Sequence, residues 1–126
     1  PLTVAAGPVA MADEDTASAR RTVAAVIAWY LCAMGDIYHR SVASQGYGPE
    51  VHAIQAANPK PRPHAGVIPK EAEAVLEQFA AYGRATDVGS QLEAWDSAAD
   101  IVLITLPAGL AWESLEATLR AASPQC

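Results

Sequence analysis

The stretch Ile101-Val102-Leu103-Ile104-Thr105-Leu106 limits the choice of fold more than any other part of this chain. Its residues are largely apolar and β-branched, and they do not alternate with polar ones. A strand built from them has two faces to bury, as strands do in parallel sheets covered by helices. The Pro-Ala-Gly turn at 107–109 stops the run. Beyond it, Trp112, Leu115, Leu119 and Ala122 recur at helical spacing, and the pattern predicts an amphipathic helix with these four facing inward.

The start of the chain has the same order. Residues 2–12, LTVAAGPVAMA, are apolar and β-tolerant, and they run into Asp13-Glu14-Asp15, acids that suit a helix N-terminus. From Thr16 to about Gln45, Val23, Ile27, Tyr30, Leu31, Met34, Ile37, Tyr38 and Val42 fall at helical spacing, which predicts one long helix, bent near Gly35 and ending at Gly46. A short helix follows from Gly48-Pro49-Glu50 to Asn58-Pro59, with Val51 and Ile54 on one face. Residues 59–69, a Pro-rich connector, can be neither helix nor central strand. Helical spacing returns at Pro69–Tyr82 (Ala72, Val75, Leu76, Phe79, Tyr82), with Gly83 as its expected C-terminal cap. A further helix is expected over Asp87–Ser97, facing inward with Val88, Leu92 and Trp95.

The expected fold is therefore α/β, one unit over residues 1–126 with about two parallel strands and several helices. Two parallel strands cannot bury an apolar run on both faces, and their edges stay open. Strands of this kind require further strands, from a longer parent or from another copy. A complete small α/β domain is the plainer alternative.

Composition narrows the function classes. The chain carries a net charge of −6, and its only adjacent pair of bases is Arg20-Arg21, so it lacks the basic footprint that nucleic acids require. The apolar stretch from Val23 to Met34 is shorter than the roughly 20 residues that span a bilayer. With no signal-peptide layout, a cytoplasmic protein without membrane contact is expected. Two cysteines, Cys32 within a helical pattern and Cys126, give neither a disulfide framework nor a metal spacing, and no metal site is expected.

No residue set stands out as a catalytic centre. His39 and His52 lie in helical patterns and His64 in the connector, at separations that do not match ligand spacing on one helix. Ser41, Ser44 and Ser90 lack a nucleophile-elbow context. Trp29, Tyr30, Trp95 and Trp112 fall on helical faces, where core packing is the default.

Several short motifs nevertheless occur in a recognisable order. An acid-started helix carries Ala19-Arg20 near its beginning and Tyr38 well along it, and the turn Gln45-Gly46-Tyr47-Gly48 follows. Then come Val67-Ile68-Pro69-Lys70-Glu71, Gly83, and a final strand entered through Ala98-Ala99-Asp100. Over residues 16–124 this series resembles the C-terminal third of the luciferase-like oxidoreductases that use flavin or deazaflavin (F-420). The family enters its last strand through Gly-Val-Asp, so this chain lacks that glycine.

The resemblance implies the C-terminal part of a (β/α)8 TIM barrel, incomplete as a barrel on its own, since a whole one takes about 250 residues. It implies hydride transfer between a reduced flavin or deazaflavin and a small organic substrate, of oxidoreductase or monooxygenase type, with FMN or deazaflavin (F-420) as cofactor. Cofactor ligands lie earlier in such chains, so none is carried over here, and this segment alone is expected to bind no cofactor. Barrel active sites form at the C-terminal ends of the strands. That makes Met11 and Asp13 after the first strand, and Pro107 and Gly109 after the last, the substrate-rim candidates, although a cap at Asp13, a strand stop at Pro107 and a plain turn at Gly109 are simpler readings. The expected partners are the N-terminal remainder of the barrel or further copies of the chain. The alternative function is a catalytically silent relative that serves as a dimerisation or interaction module.

Overall fold

The computed structural model describes residues 1–124, and they form a mixed α/β structure. The chain packs as two compact units, one of Pro1–Val23 with the chain from Ala80 onward, the other of Ala24–Phe79.

The first unit is built on parallel strands. The expected first strand is divided into β1 (Ala5–Ala6) and β2 (Val9–Ala12). A strand that the sequence reading placed inside a helix, β3 (Ala80–Gly83), pairs with β2 in parallel, Val9 opposite Ala80 and Ala12 opposite Gly83. On the other side, β4 (Ile101–Val102) pairs with β1, Ala5 opposite Ile101. Pairing runs on past β4: the amides of Leu103 and Thr105 donate to the carbonyls of Ala6 and Pro8 at 3.0 Å each, and Ala10 N–H donates to Thr105 at 3.0 Å. The N-terminal strand is thus central, with β3 along one edge and residues 101–105 along the other. The two expected strands are parallel neighbours, as anticipated.

Gly7 and Pro8 explain the interruption. Pro8 has no N–H, so it cannot continue the ladder to Leu103. A Cβ on Gly7 would fall 1.6 Å from the Leu103 carbonyl oxygen, so only glycine admits the third strand at this point.

Three helices belong wholly or partly to this unit. Asp15 caps α1 (Thr16–Ala33), its Oδ1 accepting from Ser18 N–H at 3.1 Å. Helix α5 is here Ala85–Glu93, and α6 is Trp112–Ala122. Small residues allow close packing: Ala10, Ala12 and Ala81 of the strands meet Val88 and Leu92 of α5, with Val102, Ile104, Ala121 and Ala122 packed around them. Strand alternation therefore sends Val102 and Ile104 into this core and turns Ile101 and Leu103 to the other face, where they remain 51% and 52% exposed.

The second unit is helical. After α1 come α2 (Asp36–Val42), a five-residue π turn (Ala43–Tyr47), α3 (Gly48–Ala57), a 3-10 turn (Lys70–Ala72) and α4 (Glu73–Phe79). Ile54, Ala72, Val75 and Leu76 are fully buried. The connector at 59–69 is pinned by Asn58. Its Nδ2 donates to the carbonyls of Ile54 at 2.7 Å and Val67 at 2.8 Å, and its Oδ1 accepts from Val67 N–H at 2.9 Å.

Five expectations are corrected. The long helix over 16–45 is not bent but broken at Gly35 (φ 75°), where a right-handed turn cannot continue, whereas its expected end at Gly46 (φ 101°) is found. The helix read over Pro69–Tyr82 stops at Phe79, because pairing with β2 outweighs the helix preference of Ala80-Ala81. Gly83 accordingly ends a strand, at φ 129°, and caps no helix. The helix read over Asp87–Ser97 ends at Glu93, with turns beyond. In α6 the inward face is centred on Thr118, 0% exposed, while Trp112 is 64% exposed and Leu119 lies on the flank. The small residues 118, 121 and 122 let the helix approach the strands, and the larger ones are displaced sideways.

Candidate functional site

The C-terminal ends of β2, β3 and the 101–105 strand point the same way, since the strands are parallel. The four rim candidates follow β2 and the 101–105 strand. Met11 lies within β2 opposite Tyr82 and is buried, its Sδ 3.9 Å from Thr118 Oγ1. Pro107 is buried as well, Asp13 is half-buried, and Gly109 is exposed at φ 80° in the turn before α6. Only Asp13 and Gly109 thus present surface at this end.

Asp13 is held by its own backbone. Its N–H donates to the Gly83 carbonyl at 2.8 Å, tying it to the end of β3, and its Oδ1 accepts from Asp15 N–H at 2.9 Å. The simple cap expected at Asp13 belongs instead to Asp15, and Asp13 shapes the turn that leads to it. The positive φ of Gly109 is a turn requirement.

Two residues at the same end were missed in the sequence. Arg84 follows β3 directly and stands 4.0 Å from Glu14 Oε2, both side chains largely exposed. Such a pair contributes little to stability and leaves a guanidinium and a carboxylate available to solvent. The only signal for Arg84 was the strand at Ala80–Gly83, hidden by its alanines.

The ladder closes at this end in an unusual way. Ala10 N–H finds the Thr105 carbonyl, but two residues on the third strand has turned off at Pro107. Ala12 N–H donates instead to Thr118 Oγ1 at 3.0 Å, and that hydroxyl donates to the Ser114 carbonyl at 2.9 Å. On the far side of β3, Gln91 acts as a substitute strand: Tyr82 N–H donates to its Oε1 at 3.0 Å, and its Nε2 donates to the Tyr82 carbonyl at 2.9 Å.

The remaining titratable candidates lie in the helical unit. His39 contacts Asp36 at 3.3 Å on the surface of α2, and His52 and His64 are exposed, His64 at φ 65°. Burial pushes the Cys32 thiol up, which keeps it in the poorly nucleophilic form. Cys126 lies outside the described residues. Among the described residues no three His, Cys, Asp or Glu side chains gather closely enough to hold a metal, and no helix is long and apolar enough to cross a membrane. A cavity of about 760 Å³ lies towards the start of β4, between α5 and the last turns of α6. No protein-family model, curated protein or solved structure matches this chain.

Proposed function

We propose that this chain forms the C-terminal part of a luciferase-like (β/α)8 barrel, an oxidoreductase in which a reduced flavin or deazaflavin exchanges a hydride with a small organic substrate. One observation carries the reading: a parallel sheet covered by α5 and α6 on one face leaves Ile101 and Leu103 half-exposed on the other. Parallel strands are otherwise buried on both faces, and a barrel interior would supply the second cover. The order and spacing of the motifs over residues 16–124 add the family.

The residues at the strand ends do not make a cofactor site by themselves. They offer a single exposed guanidinium, Arg84, beside the Glu14 carboxylate, and no glycine-rich phosphate loop occurs in the sequence. On this proposal other segments of the barrel hold the cofactor, and the chain contributes Asp13, Arg84 and the Gly109 turn to the rim.

A second reading has its own observation. Consecutive barrel strands are neighbours in sequence order, whereas here the N-terminal strand sits between β3 and the 101–105 strand, and Gln91 occupies the edge a further strand would take. That order favours a catalytically silent interaction module, whose open sheet face takes up another copy or a partner.

Complementation separates the two. The chain is mixed with a luciferase-like oxidoreductase lacking the part this chain resembles, and FMN or deazaflavin fluorescence is followed. Quenching that needs both pieces is expected for the enzyme reading. No quenching, with the chain associating through Ile101 and Leu103 on its own, assigns the module.

A further inference from the structure

We infer that the groove between α5 and α6 docks the Pro-rich basic segment Lys60–His64 of a second copy of this chain. The groove has an apolar floor and an acidic wall. Leu92, Val102 and Leu119 line its base, and Glu93, Asp96 and Asp100 carry three carboxylates along it. Asp100 is partly engaged, accepting from Val4 N–H at 2.8 Å. Glu93 and Asp96 are exposed. The last turn of α6 also ends here, with the Leu119 and Arg120 carbonyls accepting from Ser123, and the negative end of the helix dipole adds to the acidic potential. A volume of about 760 Å³ is generous for side chains and too large to stay dry and empty.

The chain carries a segment of opposite character. Pro59-Lys60-Pro61-Arg62-Pro63-His64 has a proline at every second position and turns at its end, where Ala65 N–H donates to the Arg62 carbonyl at 3.4 Å and His64 sits at φ 65°, and its prolines lower the entropy lost on docking. Lys60, Arg62 and His64 are exposed on it. Asn58 fastens its base, so the segment is presented rather than trailing. The prolines would lie on the apolar floor, with Lys60 and Arg62 facing Glu93 and Asp96. The unit that holds the groove has nine acids against four arginines, whereas the unit with the segment has five acids against four bases. Both units are thus net negative, and the attraction between copies is local, from Lys60 and Arg62 of one to Glu93 and Asp96 of the other; two such contacts can close a symmetric dimer.

Charge exchange tests the inference. At about 50 mM salt, light scattering on the intact chain should give about twice its 13.2 kDa, falling to the monomer at about 500 mM as screening shortens. Glu93→Lys with Asp96→Lys should abolish the dimer, and so should Lys60→Glu with Arg62→Glu. The four changes together should restore it. A synthetic peptide of residues 59–65 should bind the wild-type chain at least tenfold more tightly than the Glu93→Lys, Asp96→Lys variant. All four positions are exposed, so none of the changes endangers folding. A monomer under all conditions overturns the inference. So does a dimer indifferent to both charge pairs, which assigns association to the Ile101 and Leu103 face, and so does a peptide bound equally by both proteins.

Discussion

Thr118→Val puts the closure of the sheet to a direct test. The side chains have nearly the same volume, so packing around this fully buried position is kept. What is lost is the hydroxyl that accepts from Ala12 N–H at 3.0 Å, at a point where the third strand has left and no other acceptor is paired with that amide. The Ser114 carbonyl remains within the helix and loses little. The cost is therefore that of an orphaned buried amide, about 2 kcal/mol. For a chain of this size that lowers the melting temperature by about 8 °C. Thr118→Ser keeps the hydroxyl and loses one methyl group, which costs about 1 kcal/mol. Urea unfolding followed by circular dichroism, with hydrogen exchange read at Ala12, measures both. The reasoning is refuted if the valine variant unfolds at the wild-type midpoint, or if serine is the more damaging change.

Other perturbations reach different joints. Gly7→Ala sets a methyl group 1.6 Å from the Leu103 carbonyl oxygen, so the backbone must move, and a loss of about 2 kcal/mol or more in urea with faster exchange at Leu103 and Thr105 is expected. Asn58→Leu removes two hydrogen bonds to Val67 of the connector and one to Ile54 of α3, and exchange across residues 60–67 should rise with a stability loss of about 3 kcal/mol. Gln91→Ala uncovers the outer edge of β3 for about 1 kcal/mol of stability, and increased aggregation on concentration is the sign to look for.

The features legible in the sequence were those with strong local chemistry. The run at 101–106 announced a strand by its β-branched residues, and its parallel partnership with the N-terminal segment followed from the crossover between them. Gly48-Pro49 and Asn58-Pro59 bounded α3 because proline and glycine act locally. The strand at Ala80–Gly83 was not legible, since alanine favours helix and only pairing with Ala10 and Ala12 makes it extended. Arg84 was lost with it. Thr118 carries no local signal, because its partner lies 106 residues away. Met11 and Pro107 were correctly placed near the strand ends, but no local signal told that the backbone would bury them. Chemistry at the rim was the least legible, because Asp13, Glu14 and Arg84 are brought together by sheet pairing alone.

The most direct test of the central claim, that the strand at 101–105 is made for a further strand along its open edge, is hydrogen exchange at Val102 and Ile104, whose N–H groups alternate with those bonded to the N-terminal strand, while the chain is mixed with a luciferase-like oxidoreductase lacking the part it resembles. The account predicts a one-to-one complex in which these amides slow at least tenfold and flavin or deazaflavin fluorescence is quenched. Unchanged exchange with no complex, from a chain that stays a stable monomer, would contradict it.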